Sequence, residues 1–437
     1  MSVDAEDRAG DGSAQRAPRA EVRAPVAQPS APNANHPLRG VRVIDATTTF
    51  AGPYGTTILA ELGAEVIKIE APPDGDITRM LTTGRSRGMS GVFVHMNQGK
   101  RSVAIDLKSP ASHAIMERLL GSADVFVHNM RPSAARRLGL GYEDLQARHP
   151  SLIYCNLCGF GQDGRYADKP AYDDIIQAMS GLAAVQGFPD HDPEYVHSVV
   201  ADKTLGLTLV YALLAALFAR ERTGTGQRVE VPMYETMVSY VLVEHMGGLT
   251  FEPADGSPMY ARAVSPYRRP YRTLDGFIGV LVYTDAQWHR FLRLIQREDL
   301  EADPKFATPN GRIANIDEVY SFVEQVIASD TTDSWIERLE RADIPVGPVN
   351  RVADLIDDPH LDDVGLFSVF EHETDGPIRV VRPTVQFGDE RPSPVGRGAP
   401  RYGRDTFDVL CDLGYSDAEI TELVDTGVVF EAVRSPD

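Results

Sequence analysis

From Leu38 onward, apolar and polar positions follow two alternating patterns. Segments that read as strands occur at Val41–Ala46, Glu65–Glu70, Ser102–Leu107, Asp124–His128 and Leu152–Leu157. Between them, Gly52–Leu62, Pro110–Leu120 and Ala134–Leu138 carry helical spacing. Alternating strand and helix predicts an α/β chain with a doubly wound parallel sheet and helices on both faces. The Leu- and Ala-rich run Leu205–Phe218 predicts a buried helix. A Gly-bearing turn at Thr223–Gln227 leads into a strand, and a helix runs from Tyr234 to about Gly247. Thr250–Ala263 reads as a linker. A smaller α+β unit begins near Tyr267, where Leu274-Asp-Gly-Phe277 predicts a tight turn into the strand Ile278–Val282. Its helices are expected over Trp288–Ile295, Val319–Ser329 and Asp333–Ala342, and Ile344–Asn350 closes it. Two amphipathic segments follow, Thr406–Leu413 and Asp417–Thr426, and no internal repeat is present.

Composition narrows the class. The 437 residues are 43% hydrophobic and 24% charged, ordinary for a globular chain and long enough for two domains. Residues 1–36 differ: they are rich in Ala, Pro, Arg, Asp and Ser, lack a signal-peptide apolar core, and read as a disordered tail. The formal net charge of −20 argues against nucleic acid as a partner. No uninterrupted apolar stretch has the length of a membrane span, since Leu205–Phe218 gives way to Ala219-Arg-Glu-Arg222. Three cysteines, an odd and sparse set, indicate a reducing, cytoplasmic setting. Cys155 and Cys158 form C-x-x-C, but no second pair or nearby His completes a metal site. After the first strand the chain reads Thr47-Thr-Thr-Phe-Ala-Gly-Pro-Tyr-Gly55. It therefore carries neither the dinucleotide fingerprint nor a Walker-type loop, which disfavours a nicotinamide dehydrogenase or an NTPase.

Asp202, in His197-Ser-Val-Val-Ala-Asp-Lys-Thr204, stands at or just before the N-terminus of the predicted helix. The free N–H groups and dipole there favour a negative charge, and a carboxylate held ionised can attack an activated acyl group. The plainer use of such a residue is an N-cap. Tyr172-Asp-Asp-Ile-Ile176 likewise places two acids in a first helical turn.

Several motifs recur together: Leu62-Gly-Ala-Glu-Val-Ile-Lys-Ile-Glu70, Gly75-Asp-Ile-Thr-Arg79, Asn97-Gln-Gly-Lys-Arg-Ser102, His128-Asn-Met-Arg-Pro132 and Gly159-Phe-Gly-Gln-Asp-Gly164. Tyr172–Gly181, Thr223–Gln227 and Val346–Asn350 complete the set. In this order the chain resembles the family III coenzyme A transferases, the group that includes formyl-CoA transferase, carnitine CoA-transferase and α-methylacyl-CoA racemase. The resemblance spans roughly Leu38 to Phe430.

The resemblance implies a Rossmann-like CoA-binding large domain over residues 37–249. It also implies a linker and small domain over 250–350, and a return to the large domain over 351–437. It further implies a homodimer of two interlocked chains, with an acyl-CoA and a carboxylic acid as substrates and no permanently bound cofactor. Asp202 matches the nucleophile and Asp173 a second catalytic carboxylate. Asn129 and Arg137 match CoA contacts, and Lys100 and Arg101 follow a loop near the nucleotide. Phe50 stands where formyl-CoA transferase has a Gln beside the acyl group. Tyr172 stands where the racemases carry a proton-transferring His. A phenol substitutes poorly for imidazole near neutrality. The expected activity is therefore CoA transfer by way of an aspartyl anhydride and an aspartyl-CoA thioester. The alternatives are an acyl-CoA racemase or isomerase acting at the α-carbon and a catalytically silent CoA-binding protein.

Overall fold

A computed structural model describes residues 36–187, 191–388 and 398–431; the tail expected over residues 1–36 lies, but for His36, outside this range. The centre is a seven-stranded sheet in the order β12-β3-β2-β1-β4-β5-β6. Its strands are β1 (Arg42–Ala46), β2 (Glu65–Glu70), β3 (Arg101–Ile105), β4 (Val125–His128), β5 (Ile153–Cys158) and β6 (Arg228–Pro232), all parallel. Only β12 (Val429–Phe430) runs antiparallel, against β3. The chain winds outward from β1 through β2 and β3, then returns to the other side of β1 for β4, β5 and β6. The crevice beyond the C-terminal ends of β1 and β4 is thus the switch point, where open α/β sheets bind ligands.

Both faces of the sheet are covered, so apolar residues on either side of its strands are buried. Neighbouring residues of β1 serve opposite cores. Val43 packs with Leu59, Leu209, Leu213, Met237 and Val241, whereas Ile44 packs with Ile115, Leu119, Val409, Leu410 and Ile420. The first set comes from α1 (Ala51–Glu61), α8 (Val200–Thr223) and α9 (Met233–His245). Along the chain between α1 and α8 lie α2 (Gly91–Met96), α3 (Ser112–Gly121), α4 (Pro132–Arg137), α5 (Tyr142–Gln146), α6 (Asp173–Met179) and α7 (Leu182–Gly187). The second set includes α3 and two helices near the C-terminus, Thr406–Asp412 and Asp417–Asp425. The hydroxyl of Thr406 accepts from Ala104 N (3.1 Å) and donates to Phe430 O (2.8 Å), which stitches the C-terminal segment to β3.

α8 is longer than its apolar run. It begins five residues before Leu205 and ends five after Phe218, where Gly224 turns left-handed at φ 73°. The apolar letters mark only its packed middle; the polar ends are equally helical. By length and composition this helix could cross a membrane, although it reaches that length only with Asp202, Lys203 and Arg220 outside its apolar run. Its inner face is instead committed to the core through Leu205, Leu209 and Leu213. α1 and α8 approach closely at two glycines. A Cβ on Gly206 would lie 2.8 Å from Ala51 O, and one on Gly55 would lie 2.8 Å from Gly206 O.

A separate antiparallel sheet, β7 (Tyr271–Arg272), β8 (Phe277–Val280) and β9 (Val346–Pro348), has its own core around Trp288, Phe291, Val319, Trp335 and Leu339. A hairpin of β10 (Phe367–His372) and β11 (Gly376–Val381) docks back on the large sheet's loops. There Arg85 Nη1 donates to Asp375 O (2.6 Å) and Ser86 N to Asp375 Oδ1 (3.0 Å).

Candidate active site

Asp202 is the third residue of α8, inside the first turn rather than ahead of it. Its backbone N–H, one of the free donors of that turn, donates to Asp173 Oδ2 at 3.0 Å. Asp173 opens α6 and is itself buried. One turn on, Gln177 donates to the other Asp173 oxygen. The same Gln177 amide donates to Ser198 O (3.3 Å) and accepts from Val196 N (2.9 Å), clasping the segment that leads into α8. From the opposite side, the backbone N–H of Ala51 at the start of α1 reaches the Asp202 carboxylate. The first amide of α1 thus meets a carboxyl group carried on the first turn of α8.

That carboxyl is not held strongly ionised, contrary to the sequence expectation. Burial first, and the neighbouring Asp173 charge second, push its pKa up to about 7, against the opposing pull of the Ala51 N–H. Desolvation and a like charge outweigh that single N–H.

Asp202 opens onto a cavity of about 270 Å³ at the switch point. Leu157, Leu205 and Met233 supply apolar wall near Asp202. Thr48, Thr49, Asn129, Arg131 and Lys169 supply polar and cationic surface. Asn129 bridges the crevice: its Oδ1 accepts from Thr48 N (3.1 Å) and its Nδ2 donates to Thr48 O (2.9 Å). Just before it, His128 is buried and kept neutral, its pKa lowered by burial to about 4. Its Nδ1 accepts from Met130 N (3.2 Å), which leaves Nε2 to bond the Tyr154 hydroxyl (2.6 Å). This fixes the turn that presents Asn129 and Arg131.

The structure gathers some of the expected site residues and disperses others. Asp202, Asn129 and Tyr172 line the cavity, Tyr172 at its rim and 70% exposed. Asp173 stands directly behind Asp202. Phe50 caps α1 between two lining residues, Thr49 and Ala51, without lining the cavity itself. Arg137 is exposed at the end of α4 and does not line the cavity. Lys100 is a correction. It is fully buried, and its ammonium is spent on Asp45 Oδ2 (3.2 Å), Pro53 O (3.0 Å) and Asn97 Oδ1 (2.9 Å), which leaves no face for a nucleotide. Burial lowers its pKa to about 8, opposed by Asp45. Arg101 points away as well, to Glu65 (2.9 Å) and Asp412 (2.8 Å). Arg131, Lys169 and Thr49 went unnoticed in the sequence. Arg131 lies two residues from Asn129 within the same motif, so a signal was present. Lys169 sits in an aperiodic loop that offers none.

A switch-point cleft with a poised carboxylate and a cationic rim defines an α/β enzyme that handles an activated, anionic substrate. Comparison with known proteins gives the family. The chain belongs to CoA-transferase family III, whose model matches residues 38–406. It is 33% identical to the succinate–glutarate CoA-transferase of Agrobacterium fabrum over 87% of this chain and 97% of that one. It is 31% identical to the formyl-CoA:oxalate CoA-transferase of Rhodopseudomonas palustris strain CGA009, over 89% and 96% of the two chains. In three dimensions it resembles the crystal structure of a hypothetical protein of Mycobacterium tuberculosis with a TM-score of 0.74. That match has 31% identity and covers 86% of this chain and all of the other. The protein is thus an acyl-CoA:carboxylate CoA-transferase with a large parallel-sheet domain.

Proposed function

We propose that Asp202 is the nucleophile that carries CoA from an acyl-CoA to a free carboxylic acid. The observation that supports this most is the position of its carboxyl group, on the first turn of α8 and against the first amide of α1, inside the switch-point cavity. The ionised Asp202 attacks the thioester carbonyl, the C–S bond breaks, and CoA leaves as a thiolate with a mixed anhydride behind it. The thiolate then attacks the Asp202 carbonyl, releasing the donor acid and forming an aspartyl-CoA thioester. The acceptor carboxylate attacks that thioester and the two steps run in reverse. One thioester replaces another, so no other energy source is needed. The Ala51 N–H is placed to stabilise the oxyanion that develops at Asp202. Asp173 holds the Asp202 backbone and raises the basicity of its carboxylate.

Asn129, Arg131 and Lys169 are the proposed contacts for CoA, with Arg137 further along α4 for a phosphate outside the cavity. Phe50 acts on the acyl group only through the turn it caps. Tyr172 at the rim carries a phenol where the racemases of the family carry an imidazole, which favours transfer over α-proton exchange.

The interlocked homodimer belongs to the same proposal. A stripe on α8, Leu207, Tyr211, Ala215 and Phe218, faces outward at helical spacing, with Tyr211 and Phe218 64% and 66% exposed. Val243 on α9 is 85% exposed. An apolar face of this kind suits a second copy of the chain. The free cysteines fit a cytoplasmic enzyme.

The test is covalent. After incubation with an acyl-CoA, hydroxylamine should convert the peptide containing Asp202 to a hydroxamate. A panel of acyl-CoA donors against carboxylic acids, including succinate, glutarate and oxalate, should give turnover. Turnover that survives intact in Asp202→Asn would remove Asp202 from the mechanism.

A further inference from the structure

Between β1 and α1 the chain makes a turn that one residue type resists. Thr49 has φ 76°, in the left-handed region, where a β-branched side chain is strained. Such strain persists only where the surroundings over-determine it. Here each residue of the turn is gripped by a different element. Lys68 Nζ, from β2, donates to Thr47 O at 2.8 Å. Asn129, from the loop after β4, holds both backbone groups of Thr48. Asp76 Oδ1 accepts the Thr49 N–H at 3.2 Å, along with Thr78 N (3.0 Å) and Thr78 Oγ1 (2.8 Å). Asp76 is in turn fixed by Lys68, 2.9 Å from its other oxygen, and by its own N–H, which donates to Glu70 Oε1 (3.0 Å). The Lys68 and Asp76 side chains are both fully buried. Neither lines the cavity, and nothing in the transfer chemistry calls for either.

What the turn delivers is the Ala51 N–H, two residues past Thr49. We propose that Asp76, braced by Lys68, is a positioning residue of the active site. It captures the Thr49 N–H, holds the turn left-handed, and so aims the first amide of α1 at Asp202. The grip acts on the reacting group through the backbone, without contact with substrate. This inference rests on Asp202 being the reacting carboxylate.

The test separates aim from mere stability. The ionisation of Asp202 is followed by carbon-13 NMR of aspartate-labelled enzyme, with the resonance assigned by its loss in Asp202→Asn; no substrate is needed. In parallel, CoA affinity and the rate of adduct formation are measured against pH. Losing an N–H partner favours the neutral acid, so in Asp76→Ala the Asp202 midpoint should rise by about one unit. Adduct formation at pH 7 should fall about fivefold, the loss of ionised carboxylate that such a shift implies. CoA affinity should stay within about twofold. Asp76→Asn keeps an acceptor oxygen for Thr49 and should titrate like the parent. Thr49→Gly removes the strain that the grip opposes, so Thr49→Gly with Asp76→Ala should recover most of the loss. If Asp76→Ala does not fold because Lys68 is stranded, Lys68→Met with Asp76→Leu removes the pair as a unit and should show the same shift. An Asp202 midpoint that stays put in these variants, or a shift that Thr49→Gly leaves uncorrected, overturns the proposal. An enzyme whose Asp202 midpoint moves as expected but that forms no adduct with any acyl-CoA would keep the positioning role and refute the nucleophile.

Discussion

Because Asp202 titrates near neutrality, its reactivity and its cost to the fold rise together. Burial and the Asp173 charge raise its pKa in the folded protein from the ordinary 3.8 to about 7. The stability tied to its neutral form is therefore complete below pH 4 and is lost as pH climbs through 7. Over the same range the ionised form, the proposed nucleophile, accumulates. We expect kcat/KM to rise with pH and level off above 7, while Asp202→Asn, inactive, becomes more stable than the parent. The gap should be small at pH 4 and widen to about 2 kcal/mol at pH 8, roughly half the value for an unrelaxed shift of this size. Melting curves of both proteins at the two pH values check this, and a constant gap would refute the charge-burial account. Lys100 makes the opposite case. Although burial pushes Asp45 up, Lys100 and Lys68 hold its pKa to about 2, so removing Lys100 strands a buried charge. Lys100→Met should cost about 3–5 kcal/mol of stability and leave CoA affinity in the refolded enzyme unchanged. The sequence displayed Lys100 as a cation beside a loop motif but gave no sign that Asp45, 55 residues earlier, lay beneath it in need of a partner. Asp202 was legible because a helix start shows locally. Its raised pKa was not, because desolvation and the Asp173 charge come from elements distant in the chain.

At the scale of elements, long periodic segments were readable and short ones were not. The β2 limits, Glu65–Glu70, coincide with those of the expected strand, and β1 and α1 fall within a residue of theirs. The β10–β11 hairpin went unrecognised: its outward residues are mixed, and its turn residue Asp375 is held by Ser86 from far upstream. β12, two residues long, is too short to carry any period. The close contact of α1 with α8 is the element-scale feature that matters most to the site, because it fixes where Ala51 lies relative to Asp202. Gly206→Ala places a methyl against Ala51 O and the Tyr54 ring, each 2.8 Å away. Overpacking should destabilise by about 1–3 kcal/mol. Since the displaced atom belongs to Ala51, adduct formation at Asp202 should fall at least tenfold in protein that is still fully folded by circular dichroism. Equal activity per folded molecule would show that the helix spacing is not what sets the site.

For the molecule as a whole, strand–helix alternation implied a parallel, doubly wound sheet, but neither the order of its strands nor how the C-terminal segment finishes it. Assembly has a direct test. Leu207→Glu with Phe218→Glu puts charges on the outward stripe of α8, away from the cavity, and should lower the fraction of dimer seen by sedimentation. Mixing two differently tagged parent proteins should give no mixed dimer over hours, yet give one after denaturation and refolding. Rapid exchange would exclude interlocked chains.

The stitching of β3 to the C-terminal segment also bears on how the protein is made. Ser102 N donates to Asp405 Oδ2 at 2.9 Å, and those residues are 303 positions apart in the sequence. Synthesis at ~5–20 residues per second leaves tens of seconds between the appearance of β3 at the ribosome and that of its last partner. For that interval a strand holding buried Val103, Ala104 and Ile105 has an open edge, and the face that Val409, Leu410 and Ile420 will cover is bare. An unpaired apolar edge of this kind templates association with other chains. Nascent chains stalled before residue 400 should therefore bind holding chaperones, and release should coincide with emergence of Thr406 through Phe430.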